Sequence, residues 1–242
     1  MDCRISIPVK MDGAHNFRDL GGYPASGGMT RRGCFFRSDS LAGLSGADRS
    51  WMRQMGITCV LDLRSRKEIE QAPDSLDDSF LYYPVCMSDR MTGAADLKQF
   101  PKRLSELYIE ILNSYQQEML QVMQVLVERA GKPAVFHCTA GKDRTGVTAM
   151  LLLSLAGVPE ELIIRDYASS AENMAPVFQQ QKLMLEKAGW KVPEALFSSP
   201  AEEMELAMEY LKATWGDTEQ YLISCGASRT DLMQLKALLV EK

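Results

Sequence analysis

The chain has few of the residues that bind transition metals or build disulfide frameworks. Its 242 residues include only two histidines, and none of its six cysteines forms a C-x-x-C pair. These numbers argue against a zinc site and against a disulfide-stapled scaffold. They favour a reducing compartment of the cytoplasmic type. We therefore expect no metal and no cofactor.

Long apolar runs and an excess of positive charge are also missing. The longest apolar stretch, residues 147–158, has about twelve residues, whereas a membrane span needs about twenty. The first ten residues contain Asp2 and Pro8 and no apolar run, so we expect no signal peptide and a cytoplasmic location, with non-classical export left open. The net charge of -5, with both signs mixed, argues against nucleic acid as a partner. The oligomeric state is not indicated.

Helical and extended patterns alternate along the first two thirds of the chain. Ser45 is a good N-cap, and the helix that it starts is expected to stop at Gly56. Strands are predicted over residues 57–63, 80–85 and 134–138, and helices over residues 67–70, 97–130 and 145–156. This alternation predicts an α/β fold with a mainly parallel central sheet flanked by helices.

After Pro159 the pattern is almost wholly helical. Ser199 is expected to cap one helix, since Pro200 follows it in the first turn, and Ser228 is expected to cap another. No internal repeat and no long linker interrupts the sequence. We expect one domain over residues 1–242, with extra helices in the C-terminal part from about residue 159.

The motif H-C-x-x-G-x-x-R-T-G, residues 137–146, lies between an apolar strand and an apolar helix. A strand-to-helix turn aims backbone N–H groups into one concavity, and the helix N-terminus adds positive potential, which suits a phosphate dianion. Gly141 and Gly146 permit the tight turn and close packing. The loop residues expected to bind phosphate or substrate are Thr139, Ala140, Gly141, Lys142, Thr145 and Gly146.

Two loop residues have the chemistry that metal-free phosphoryl transfer needs. The helix dipole and nearby cations favour the thiolate of Cys138, which is a strong nucleophile. Arg144, six residues later, can grip two phosphoryl oxygens with its fork. Thr145 can hydrogen-bond the sulfur and help it to leave. The motif predicts hydrolysis of phosphate monoesters through a phosphocysteine.

Other loop chemistries fit less well. The loop's Gly-Lys pair is followed by Asp143 rather than Ser or Thr, so a Walker A nucleotide site is not indicated. A Cys–His protease needs a histidine from across the fold, whereas His137 precedes the cysteine on the same strand and points the other way. A non-catalytic phosphate-binding module is the remaining alternative, and the intact nucleophile and clamp argue against it.

Several further motifs support a resemblance that covers nearly the whole chain. They are N-F-R-D-L-G-G at 16–22, F-R-S at 36–38, D-L-R-S at 62–65 and D-Y at 166–167. With the loop, they make the chain resemble the bacterial tyrosine-phosphatase-like family that includes the mycobacterial and listerial secreted phosphatases of broad specificity. The resemblance implies a protein-tyrosine-phosphatase-like fold. It also implies activity on phosphotyrosine, on phosphoinositides, and as a further option on phosphoserine or phosphothreonine.

By position, the resemblance makes Cys138 the nucleophile and Arg144 the phosphate clamp. It makes Lys142 and Asp143 the basic and acidic loop residues that set this family apart from ordinary tyrosine phosphatases. A second cation at Lys142 would favour substrates with more than one phosphate, so soluble inositol polyphosphates, or another phosphorylated metabolite, are an alternative substrate class.

Two arginines near the N-terminus, Arg18 and Arg37, are candidates for substrate binding. They could line the mouth of the site, or they could simply pair with Asp19 and Asp39.

The general acid is open among three aspartates. Many relatives take it from the loop after the strand at residues 80–85. An alignment on Pro84 puts Met87 where a relative has aspartate, with Asp89 two residues later. The order of preference is Asp143, then Asp89, then Asp62, which is expected instead to make a structural ion pair.

Overall fold

The computed structural model of the protein describes residues 7–87, 101, 103–129, 132–189 and 193–241. Its strands are β1 (Arg18–Asp19), β2 (Pro24–Ala25), β3 (Gly28–Thr30), β4 (Phe35–Ser38), β5 (Cys59–Asp62), β6 (Leu81–Pro84), β7 (Ala134–His137) and β8 (Val240–Glu241). Its helices are α1 (Gly46–Gln54), α2 (Arg66–Gln71), α3 (Leu104–Ser114), α4 (Gln116–Glu128), α5 (Asp143–Leu155), α6 (Glu160–Asn173), α7 (Ala175–Lys187), α8 (Ala201–Trp215), α9 (Thr218–Ser224) and α10 (Arg229–Leu239). A 3₁₀ helix covers Glu194–Phe197.

The central sheet has the strand order β1-β4-β7-β5-β6. Strands β4, β7, β5 and β6 run parallel to one another, and the short edge strand β1 runs antiparallel to β4. His137 is in register with Ser38 on one side and with Asp62 on the other. The carboxyl ends of β4, β5 and β7 therefore meet at one edge, where ligands bind in open α/β sheets. The predicted α/β fold with a mainly parallel sheet is confirmed.

Strands β4, β5 and β7 are buried on both faces, as strands of parallel sheets usually are, whereas the edge strand β6 is largely exposed. Along β5, Cys59 and Leu61 face the larger core, whereas Val60 faces a smaller one together with Phe36 and Val135. This alternation follows the two-residue period of a strand. Helix α1 covers the smaller core, and α5 lies in the larger one with most of its side chains buried.

A second sheet was not predicted. Strands β2, β3 and β8 form an antiparallel sheet in which Thr30 lies opposite Val240. Its strands have two or three residues each, which is too short for an alternating pattern to show in the sequence.

The N-terminal helix signals are confirmed. Ser45 caps α1 through a capping box with Asp48, and the chain turns at Gly56 with φ +75°. The capping signal at Ser228 is also confirmed, because its hydroxyl accepts from the Asp231 amide at 3.0 Å. No helix in the described ranges is both long enough and apolar enough to span a bilayer.

Two helix predictions are wrong. The described part of the segment 97–130 forms two helices, because Tyr115 has φ -116° and ψ 33° and is fully buried at the joint. The predicted cap at Ser199 is not made. Its hydroxyl instead donates to the Ala168 carbonyl at 2.8 Å and accepts from the Ala171 amide at 3.0 Å. Ser199 therefore ties the start of α8 to α6.

Candidate active site

The loop between β7 and α5 is shaped by hydrogen bonds to its carbonyl groups. The Asn16 side-chain amide donates to the carbonyls of Ala140 and Gly141 at 3.0 and 3.1 Å. The Arg37 guanidinium donates to the same Gly141 carbonyl at 2.7 Å. Since N–H and C=O of a trans peptide point in opposite directions, anchoring the carbonyls to the scaffold directs N–H groups to the other side of the loop. Such successive N–H groups form an anion-binding concavity.

The two loop glycines are required by close contacts. Gly141 has φ +64°, and a Cβ there would lie 2.4 Å from the Ser38 carbonyl oxygen. At Gly146 a Cβ would lie 3.2 Å from a ring carbon of Tyr167, so the glycine lets α5 approach α6 closely. Both predicted roles, a tight turn and close packing, are confirmed.

Cys138 is buried at the start of this loop, immediately after β7. Other thiols in the described chain are in different surroundings. Burial raises the pKa of Cys34, Cys59 and Cys225 to about 11, so these three stay protonated near neutral pH. The position of Cys138, beside the cation Arg144 and before the N-terminus of α5, is the one that suits a nucleophile.

Arg144 is held by a carboxylate from another element. Its two terminal nitrogens donate to the two oxygens of Glu68 at 2.7 and 2.8 Å. Burial lowers the pKa of Arg144, but the hydrogen bonds and charge of Glu68 and the neighbouring Cys138 raise it by more, so the net pKa is above its usual range. The guanidinium is therefore fixed in place and always charged.

Glu68 is a site residue that the sequence did not indicate. It also accepts from the Thr139 hydroxyl and, at 2.9 Å, from the Ser65 amide. Burial raises the pKa of Glu68, but the hydrogen bonds from Arg144 and Thr139 and the charge of Arg144 lower it by more, so the pKa lies well below the usual range. The available signal was the capping box S-x-x-E of Ser65 and Glu68, which predicts a helix start but not the arginine.

The expectations for Arg18 and Arg37 are corrected. Both side chains are fully buried, and both pair with Asp166 on α6 rather than with Asp19 and Asp39. Burial and the neighbouring Arg18 lower the pKa of Arg37 to about 10, despite the opposing charge of Asp166. These arginines lie behind the loop, where Arg37 supports it, and not at the mouth of the site.

Lys142 also differs from its expected role. Its ammonium group donates to the carbonyls of Ala195, Leu196 and Ser198 at 3.0, 3.2 and 2.8 Å. The side chain is 1% exposed. The expectation of a free cation beside the phosphate is therefore corrected, since the charge is already satisfied by the segment around the 3₁₀ helix.

The three candidate acids have separate positions. Asp143 begins α5 within the loop, its side chain is 25% exposed, and its Oδ1 accepts from the Tyr108 hydroxyl at 2.8 Å. Asp62 is fully buried and pairs with Arg64 at 2.6 Å, which confirms the expected ion pair. Asp89 lies outside the described residues.

His137 belongs to a buried polar cluster beneath the sheet edge. Its Nε2 lies 2.8 Å from Asp74 and 3.8 Å from Asp62, and both carboxylates also contact Arg64. Burial lowers the pKa of His137, but Asp74 and Asp62 raise it above its ordinary value. Its Nδ1 lies 3.2 Å from the Cys138 carbonyl oxygen, on the backbone rather than at the sulfur. This contact supports the exclusion of a Cys–His protease.

Comparison with known proteins identifies the family. The family model described as "Tyrosine phosphatase family" matches residues 9–241. The chain belongs to this family. A "Tyrosine-protein phosphatase" of Nostoc commune is 33% identical over 222 residues, which cover 85% of this chain and 74% of that protein. The "Triple specificity protein phosphatase PtpB" of Mycobacterium tuberculosis is 26% identical over 276 residues, covering 96% and 98%.

Among solved structures, Pseudomonas aeruginosa TpbA aligns with a TM-score of 0.41 at 12% identity, covering 81% of this chain and 88% of that one. The family assignment depends on the sequence matches. It confirms the resemblance drawn from the loop and its accompanying motifs, and it makes the protein a phosphatase of the tyrosine and dual-specificity type.

One loop contact expected for this phosphatase is not made. The hydroxyl of Thr145 is buried and has no hydrogen-bond partner among the described residues, so the expected bond to the Cys138 sulfur is corrected. The Thr145 side chain comes from the first turn of α5, whereas Cys138 ends the strand side of the loop.

A cavity of about 280 Å³ lies beside the phosphatase loop. Thr139 and Ala140 of the loop line one part of it, and Met174, Val177 and Phe178 form an apolar wall. His15 also lines the cavity, and its pKa is raised by the hydrogen bond with Asp39, although burial partly opposes this. The cavity therefore joins the phosphate loop to an apolar surface.

Proposed function

We propose that this phosphatase hydrolyses phosphate monoesters through a phosphocysteine on Cys138. The observation that carries the proposal is the pairing of Arg144, in the first turn of α5 and six residues after the buried Cys138, with Glu68 of α2. A guanidinium has five N–H donors in a planar fork, a geometry that matches phosphoryl oxygens. The loop amides and the N-terminus of α5 supply the rest of the anion site.

In the first step the Cys138 thiolate attacks phosphorus, an S–P bond forms and the ester P–O bond breaks. Asp143 gives its proton to the leaving oxygen and becomes a carboxylate. In the second step a water gives a proton to Asp143 while its oxygen bonds to phosphorus. The S–P bond breaks, the thiolate leaves, and inorganic phosphate is released. Arg144 and the loop amides stabilise the equatorial oxygens in both steps.

Asp143 is proposed as the acid because of its place in the loop. It belongs to the same turn as Arg144, and its side chain is partly exposed, so it can meet a substrate. Asp62, in contrast, is fully buried and committed to Arg64. Metal ions and cofactors are not required by this scheme.

Phosphotyrosine is the proposed main substrate. The apolar wall of Met174, Val177 and Phe178 beside the loop suits an aryl group more than a polar one. The name of the Mycobacterium relative, a triple specificity protein phosphatase, supports a range broader than phosphotyrosine. We propose phosphoserine, phosphothreonine and phosphoinositides, the classes that the family resemblance implies, as further substrates. Because Lys142 is occupied by carbonyls, soluble inositol polyphosphates are a less favoured class.

A substrate panel tests the proposal. Initial rates of phosphate release are measured on phosphotyrosine, phosphoserine and phosphothreonine peptides, phosphoinositide vesicles and inositol hexakisphosphate, with a chelator present. We expect the highest kcat/KM on phosphotyrosine peptides and no turnover in Cys138→Ser. Full activity in that variant, or a need for an added divalent cation, would contradict the mechanism. A preference for the inositol phosphate would contradict the substrate class alone.

A further inference from the structure

Two buried tyrosines from different helices meet beneath Asp143. The Tyr108 hydroxyl, on α3, lies 2.8 Å from Asp143 Oδ1 and 2.6 Å from the Tyr167 hydroxyl, on α6. Their rings pack edge to face, with centroids 5.6 Å apart and planes at 81°. Tyr108 is fully buried and Tyr167 nearly so. The three oxygens form a chain that leads from the core to the loop.

The polarity of this chain follows from its chemistry. Asp143 Oδ1 accepts from Tyr108 in both forms of the group, because a carboxylate only accepts and, when Oδ2 carries the proton, Oδ1 is the carbonyl oxygen. A phenol has one proton, so Tyr167 must donate to Tyr108. Burial, followed by the charge of Asp143, raises the pKa of both phenols far above the usual value. Both hydroxyls therefore keep their protons at any working pH, and the direction of donation does not reverse.

The contacts on Asp143 fall on a single oxygen. Oδ1 accepts from Tyr108, and the Lys142 ammonium lies 3.6 Å from the same atom. In the described chain these contacts leave Oδ2 as the oxygen available to carry a transferable proton. The tyrosine pair thus sets both the rotamer of the carboxyl group and the identity of its acidic oxygen.

We propose that Tyr108 is a positioning residue for the proton-transfer step, and that Tyr167 fixes Tyr108. The inference rests on the proposed role of Asp143 as general acid. During ester cleavage the proton moves from Asp143 Oδ2 to the leaving oxygen as the P–O bond breaks. Tyr108 keeps its own proton throughout, and its bond to Oδ1 strengthens as that carboxyl group becomes negative. The phenol acts through Asp143 and does not contact the substrate.

A purely structural role for the pair makes a different prediction. If the tyrosines only satisfied each other in the core, loss of one hydroxyl would slow all substrates equally. A positioning role instead predicts a loss that depends on the leaving group. A basic leaving oxygen needs the proton in the transition state, whereas a strongly acidic phenol leaves without it.

The experiment measures kcat/KM for a series of aryl phosphates whose phenols span a wide range of acidity. This ratio reports the first step, up to ester cleavage. For Tyr108→Phe we expect a loss of about tenfold or more on the least acidic phenol and near-wild-type rates on the most acidic one. Removing a general acid outright costs about 100-fold or more, so the loss expected for Tyr108→Phe is smaller. The plot of rate against phenol pKa should become steeper.

Tyr221→Phe is the matched control. Its hydroxyl is also buried and donates to the Leu112 carbonyl at 3.0 Å, away from the loop. This variant loses one buried hydrogen bond but should keep the wild-type slope. A loss in Tyr108→Phe that is uniform across the series, or equal to that of the control, overturns the inference. If Tyr108→Phe does not fold, Tyr167→Phe is measured, and an unchanged slope there overturns it as well.

Asp143→Asn separates this inference from the proposed function. If Asp143→Asn steepens the slope and Tyr108→Phe does not, Asp143 remains the acid and the positioning role is wrong. If Asp143→Asn leaves the slope unchanged, the assignment of the acid fails, and the inference fails with it.

Discussion

The carboxylate of Glu68 holds the guanidinium of Arg144 through two hydrogen bonds, of 2.7 and 2.8 Å. Glu68 lies on α2 and Arg144 on α5, so the pair joins two elements across the mouth of the loop. A planar fork that makes two hydrogen bonds to one carboxylate has a fixed orientation. The clamp is thus organised before substrate arrives.

Loss of this carboxylate should impair catalysis more than folding. Glu68→Gln keeps the size of the side chain and removes the charge, so Arg144 is no longer fixed. Since small misplacements of a clamp can cost about 100-fold, we expect kcat/KM to fall by about tenfold to 100-fold. Glu70→Gln, exposed on the same helix, is the control and should retain full activity. Equal rates in the two variants would contradict the role of Glu68.

The same pair predicts a particular response to acid. The pKa of Glu68 is depressed in the folded protein, so its contribution to stability is present above the ordinary carboxylate pKa of about 4.3. That contribution is lost as the pH falls from there towards the depressed value. The difference in unfolding free energy between wild type and Glu68→Gln should be constant above about pH 5 and shrink below about pH 4. Urea titrations across this range measure it; a difference that grows in acid would contradict the account.

Asp166 should matter mainly for stability. It neutralises the two buried guanidinium groups of Arg18 and Arg37, and burial raises its pKa less than these charges lower it. Asp166→Asn leaves charge buried without compensation, which costs about 3–5 kcal/mol of unfolding free energy. The exposed pair of Asp77 and Arg53 offers a control, and Asp77→Asn should leave the unfolding free energy nearly unchanged. If Asp166→Asn lost as little unfolding free energy as Asp77→Asn, the buried network would not be needed for stability.

The loop turn can be tested by adding one methyl group. Gly141→Ala combines a left-handed φ of +64° with a Cβ placed 2.4 Å from the Ser38 carbonyl oxygen. Gly27→Ala has a similar φ of +86° but open space around its Cβ. The conformation alone costs about 1–2 kcal/mol, so Gly27→Ala should be mildly destabilised and fully active. Gly141→Ala should lose more stability and most of its activity; an active variant would argue against the observed loop geometry.

How much of the site was predictable depends on how far apart its parts lie in the chain. Cys138, Gly141 and Arg144 form one contiguous motif with helix and strand signals on either side, so the sequence alone located the loop. The partner of Arg144 could not be found in this way, because Glu68 comes from a distant helix and its local pattern signals only a helix cap. Local sequence patterns record neighbours along the chain, whereas this partner is set by tertiary packing.

The buried charges show the same limit. Arg18 has aspartate next to it in sequence, yet its partner is Asp166, 148 residues away. Lys142 was expected to be a second cation beside the phosphate, but the chain returns after α7 and supplies three carbonyls to it. Charge and spacing suggested that these side chains would be near phosphate. Packing of α6 and the 3₁₀ segment against the loop decided otherwise.

Trapping the intermediate tests the central claim most directly. Wild-type protein is mixed with an aryl phosphate, quenched in acid within milliseconds to seconds, digested, and analysed by mass spectrometry. The account predicts one added phosphoryl group, located on the peptide that contains Cys138, and none in Cys138→Ser. A Cys138→Ser variant that still turns over substrate, or a phosphoryl group found on another residue, would contradict it.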